Sequence, residues 1–114
     1  MVFLTAPCTQ EPEQPDGDAW PEDNPARRDA YNKMLRQIAA EHPGRVSVDD
    51  LDKAACPGGQ YASTVQGVVI RTVNDGVHFT PQGGVFLAPA LLPPIVAAGR
   101  AQMAGGTAPV SAGG

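Results

Sequence analysis

The chain opens on a continuous apolar run, Val2-Phe3-Leu4-Thr5, closed by Pro7, which predicts a short strand buried on both faces, as in a parallel sheet. From Thr9 to Asp23 the pattern turns polar, acidic and Pro-rich, with Trp20 as its one large apolar residue, and predicts a long loop. Asn24-Pro25 then reads as a helix start, because the Asn side chain can accept from free first-turn N–H groups and Pro fits the first helical position. Tyr31, Met34, Leu35 and Ile38 follow at i, i+3, i+4 and i+7, so the helix extends to about His42 with those four as its core stripe, and Pro43-Gly44 ends it. Arg45 to Asp49 follows as a second short strand, and the order strand, loop, helix, strand describes one βαβ unit with a right-handed crossover.

Beyond Leu51 the periodicity weakens. Cys56-Pro57-Gly58-Gly59 marks a turn, and the patch Val68-Val69-Ile70 within Val65 to Val73 marks a minor strand or hairpin arm. Thr80-Pro81 repeats the cap-plus-proline start, with a helix toward Ala98 that should kink or break near Pro89, since an interior proline costs about 3 kcal/mol. Residues 99–114, mainly Ala and Gly with Val110 as the one large aliphatic, predict a disordered tail.

Composition narrows the picture. In 114 residues there are 23 Val, Leu, Ile and Phe, about the roughly 20% level below which chains struggle to form a core. Gly 13 and Pro 12 demand short elements and long loops, and the length fits one domain. A net charge of -4 without a basic stripe argues against nucleic acid as a partner. Pro89, Pro93 and Pro94 interrupt the richest apolar run, Val85 to Ala98, so no transmembrane segment is expected, and the start Met1 to Ala6 lacks the basic segment of a signal peptide. Cys8 and Cys56 are an even pair that allows either one disulfide or two reduced, partly buried thiols; without a CxxC or clustered histidines they make a poor metal site, and no metal or cofactor is expected.

The chemistry concentrates in Asp75-Gly76-Val77-His78. Asp-Gly favours a tight turn, and a carboxylate three residues before an imidazole can accept its Nδ1 proton, leaving Nε2 as a base. The bland alternative is a turn-capping Asp and an ordinary surface ring. Other candidates favour bland roles: Trp20 as a cover on a thin core's edge, Asp49, Asp50 and Asp52 as a helix start or solvated face, and His42 as a cation at a helix C-terminus. Ser47 in a strand, Ser63 in a turn region and Ser111 in the tail lack the strand-to-helix placement that activates a hydroxyl, and no glycine-rich phosphate loop is present.

The longer block Asp75-Gly76-Val77-His78-Phe79-Thr80-Pro81-Gln82-Gly83 resembles the final block of SGNH (GDSL-type) hydrolases, in which such an Asp and His complete a Ser-His-Asp triad just before the last helix. The order of elements and both cysteine positions are most similar to the SGNH domains attached to bacterial membrane O-acyltransferases. The resemblance spans about Val2 to Ala98, and its specific part is Asp75 to Gly83. It implies an α/β chain forming an incomplete three-layer αβα, flavodoxin-like fold with a few parallel strands, in which residues 1–98 are the C-terminal portion of the domain. It implies Asp75 as orienter and His78 as general base and then acid, the missing N-terminal half of the domain as a partner together with a membrane acyltransferase module, an acyl ester of a carbohydrate or lipid as substrate, and an extracytoplasmic, membrane-attached location. The family's Gly-Asp-Ser nucleophile block and its oxyanion-hole Gly and Asn are absent here, and Arg71 stands farther from Asp75 than the family's pattern implies, as a small insertion would place it. The alternative class is a small non-catalytic secreted or envelope protein stapled by a disulfide.

Overall fold

The computed structural model describes residues 1–10, 15–16, 20–21, 24–73 and 75–105. Strand β1 (Val2–Leu4) pairs in parallel with β2 (Ser47–Asp49), Phe3 opposite Val48, and α1 (Pro25–Glu41) makes the crossover between them. Parallel strands cannot be joined by a tight turn, which is why the loop and helix intervene. Asn24 caps α1 as its sequence predicts, its side chain accepting from the Ala26 N–H at 2.9 Å, and the helix stops at the His42 cap.

The buried face of α1 is rotated from the expected stripe. Leu35 and Asn32 are buried, whereas Tyr31 and Met34 are 45% and 47% exposed. Periodicity locates the apolar face but not the neighbour, and the neighbour here includes backbone: Asn32 accepts from the Ala6 N–H at 2.7 Å and donates to the Ala6 carbonyl at 2.9 Å. An amide side chain thus satisfies both polar groups of the residue that follows β1's exit.

After β2 come α2 (Leu51–Ala55), a 3-10 turn over Pro57–Gly59, and a hairpin of β3 (Thr64–Val65) and β4 (Val68–Val69). The hairpin turn places both Gln66 and Gly67 at positive φ, the primed-turn backbone that matches strand twist. The last element, α3 (Pro81–Met103), is continuous. Pro89, Pro93 and Pro94 do not break it, and it passes Ala98 by five residues, so the expected break and the expected tail boundary are both corrected. All three prolines lie on exposed faces, where water can hydrate the carbonyls that their missing N–H groups leave free. Residues 106–114 of the expected tail, and most of the Thr9–Asp23 loop, lie outside the described residues.

α3 is long and apolar enough to cross a bilayer by length and composition. Its first turns are nonetheless docked on protein through Gly83 and Leu87. The main core lies there, built from Cys8, Ala55, Cys56, Ile70 and Leu87, with Tyr61, Phe79 and Phe86 packed around them. The fold is mixed α/β, with long helices and a few short strands.

Candidate functional site

The segment between β4 and α3 is closed at its base like a hairpin. Arg71 and Phe79 form an antiparallel bridge, the Thr72 N–H donates to the His78 carbonyl at 2.8 Å, and the Thr80 N–H donates to the Ile70 carbonyl at 3.0 Å. Thr80 caps α3 by accepting from the Gly83 N–H at 2.9 Å while its hydroxyl donates to the Val69 carbonyl. That docking requires glycine at 83, because a Cβ there would stand 2.5 Å from the Ile70 carbonyl oxygen.

At the tip of this loop the structure brings together the two residues that the sequence singles out. His78 Nδ1 lies 2.6 Å from Asp75 Oδ2. A carboxylate only accepts, so Nδ1 carries the proton, and in the neutral ring Nε2 then holds the free lone pair. Asp75 Oδ1 accepts from the Val77 N–H at 2.8 Å, the His78 N–H at 3.2 Å and the Thr72 hydroxyl. The first two contacts make an Asx turn, which pulls the chain back so that residue 78 faces residue 75. The Thr72 hydroxyl, then the Val77 N–H and the His78 ring, hold the Asp75 carboxyl well below the usual carboxylate range. Both partners meet solvent: the imidazole side chain is 77% exposed and the carboxylate 40%. Among the described residues no hydroxyl or thiol hydrogen-bonds to Nε2, and both cysteines are consumed in a disulfide.

Gly76 sits between them at φ +64°, where a Cβ would come within 2.4 Å of Gln10 Cβ. The Gln10 N–H donates to the Gly76 carbonyl at 3.3 Å, so the chain beyond Cys8 lies along the loop. Cys8 and Cys56 form the disulfide, with Cα atoms 6.2 Å apart, which decides between the two states their sequence left open. The spacing of Arg71 from Asp75 is also accommodated: four residues let Thr72 face the Asp75 carboxylate while Arg71 passes beneath the loop. Sequence reasoning treated Arg71 only as a spacing anomaly and missed Thr72; a threonine three residues before the acid was the available signal.

The remaining candidates separate from the site. Asp49 is buried on β2, and burial, reinforced by the neighbouring Asp50 charge, pushes its carboxyl up, with Oδ2 unpartnered among the described residues. This corrects its reading as part of a solvated face. Asp50 bridges to Arg36 at 2.5 Å, and Asp52 accepts from the Thr5 hydroxyl at 2.7 Å, so both tie α2 to its neighbours. Trp20 is surface-exposed, Ser47 is buried in β2, and Ser111 lies outside the described residues. No cluster of three or more His, Cys, Asp or Glu side chains suited to a metal occurs among the described residues. No protein-family model, curated protein or solved structure matches the chain.

Proposed function

We propose that this chain supplies the Asp–His part of a Ser-His-Asp triad in an SGNH-type esterase or O-acyltransferase domain, with Asp75 as orienter and His78 as base. The observation that carries this reading is the 2.6 Å contact between His78 Nδ1 and Asp75 Oδ2 on an exposed loop, with Nε2 unpartnered among the described residues. In such a site Nε2 takes the proton from a serine hydroxyl as its oxygen attacks the acyl carbonyl carbon. The same nitrogen returns that proton to the alkoxide released when the ester C–O bond breaks. Water or an acceptor hydroxyl then repeats the cycle on the acyl-enzyme, giving hydrolysis or transfer of an acyl group on a carbohydrate or lipid. The ionised Asp75 stabilises the imidazolium that forms in between.

In this reading the partner is an N-terminal half carrying the nucleophile and oxyanion donors, and together they complete a three-layer flavodoxin-like fold. The two-stranded parallel sheet supports it: parallel strands are ordinarily covered on both faces, and here Leu4, Tyr31 and Met34 remain exposed. The cross-link supports an extracytoplasmic site of action.

A fluorophosphonate probe tests the proposal. The chain alone is expected to remain unlabelled, and a separately supplied N-terminal half bearing a Gly-Asp-Ser block is expected to become labelled on mixing, with loss of labelling in His78→Gln. Labelling of the isolated chain that survives His78→Gln would sink the reading. A second reading, a small non-catalytic secreted or envelope protein, is favoured by the position of the disulfide at the centre of the main core; it expects no labelling in either mixture.

A further inference from the structure

Beneath the Asp75–His78 loop lies a buried cation. Arg71 is fully buried, with its guanidinium carbon 4.1 Å from the centroid of the Phe79 ring. Nη1 donates to the Val77 carbonyl at 2.8 Å and Nη2 to the Cys8 carbonyl at 2.7 Å. Among the described residues no carboxylate pairs with it, and its Nε has no partner. Burying a cation without a counter-ion is unfavourable, and filling space alone would be done better by an apolar side chain.

What the guanidinium does that an apolar side chain cannot is hold two carbonyls in one rigid planar fork. Those carbonyls come from segments far apart in sequence, Cys8 standing 63 residues from Arg71. The Val77 carbonyl and the His78 N–H belong to one peptide plane. Arg71 holds the oxygen side of that plane, and Asp75 Oδ1 accepts from its N–H side. The orientation of the peptide from which the imidazole hangs is therefore set from both edges. At the other prong, Cys8 is cross-linked to Cys56, and its own N–H donates to Cys56 Sγ at 3.0 Å. The anchor is thus a covalently fixed point of the core.

We propose that Arg71 is a positioning residue for the Asp75–His78 pair, fastening the Val77–His78 peptide to the cross-linked Cys8 segment so that the imidazole stays aligned with its carboxylate. This rests on the reading of that pair as a proton-transfer unit. Arg71 touches no substrate and acts only through the loop.

The test is nitrogen-15 NMR of the histidine rings in the full chain, comparing wild type with Arg71→Met and Arg71→Lys. In the wild type the His78 signal is expected to show the Nδ1-protonated tautomer in excess, with a downfield Nδ1 proton that disappears in Asp75→Asn. Arg71→Met should lower the Nδ1–H to Nε2–H ratio about fivefold, the effect of losing one net hydrogen bond. Arg71→Lys, which keeps the charge but not the fork, should fold and fall between the two. A merely structural arginine would lower the melting temperature and leave the ratio alone. A wild-type ratio in either folded variant overturns the proposal. A wild-type His78 without the downfield proton removes the underlying reading of the pair, an outcome distinct from failure at Arg71.

Discussion

Asp75 uses its two carboxylate oxygens differently, one collecting the turn's N–H groups and the Thr72 hydroxyl, the other meeting His78 Nδ1. Because those donors favour the ionised form, the carboxyl should titrate below the ordinary value of about 3.9. The sign follows from linkage: a depressed folded pKa gives stability that is present above the unfolded value and is lost as pH falls through the folded one. Carbon-13 titration of Asp75 should therefore show a midpoint in the strongly acidic range, with the Val77 amide shifting in step; a midpoint at the ordinary value would contradict the turn described above. Gly76→Ala is a sharper test of the loop, combining a positive φ with a 2.4 Å approach to Gln10. It should cost about 1–3 kcal/mol in urea unfolding and broaden the His78 ring signals. The acid, the turn glycine and the imidazole were readable because an Asx turn is local and needs only residues three apart. Thr72, three residues before the acid, carried only a faint local signal, and Arg71 carried none, since its value depends on a loop closed by the Arg71–Phe79 bridge, which no local pattern specifies.

Both caps emerged from the linear pattern, and at α3 the cap has a tertiary function as well. Thr80 accepts from the Gly83 N–H while donating to the Val69 carbonyl, so it joins the helix to the hairpin. Thr80→Ala should cost about 2 kcal/mol, the upper end of cap losses, whereas Asn24→Ala on exposed α1 should cost about 1 kcal/mol; chemical denaturation of the two variants measures the difference. The stripe on α1 was only half legible. Leu35 is buried as expected, but Asn32 rather than Met34 is buried with it, because the backbone of Ala6 demands a donor and an acceptor that an apolar residue lacks. The interior prolines of α3 leave it unbroken for a related reason: they lie on exposed faces, where the carbonyls left without a donor have water.

Among the described residues the chain gathers its main hydrophobic cluster around a cross-link rather than around its parallel strands. Cys8 and Cys56 are 48 residues apart, so the closed loop contains all of α1, β2 and α2. By chain entropy, reduction should destabilise the molecule by about 4 kcal/mol, and with a core this thin the melting temperature should drop steeply in dithiothreitol. An unchanged melting temperature would mean that the segment holding Cys8 is fixed by its noncovalent contacts alone. Loss of the bridge should also free the Cys8 carbonyl from Arg71, which joins stability to the order of the Asp75–His78 loop.

Local chemistry determined much of this protein from its sequence: the two capped helix starts, the parallel-type strands, the turn that presents Asp75 to His78, and a cysteine pair available for bridging. All but the cysteine pair depend on residues within a few positions of one another, whose hydrogen bonds and steric limits are fixed wherever the segment lies. Only the tertiary structure decided that the cysteines are joined, that α1 buries Asn32 in place of Met34, that α3 runs unbroken through its prolines, and that Arg71 grips Val77 and Cys8 together. Each of those depends on which groups are desolvated and by what neighbour, a property of the packed chain that the order of residues does not state.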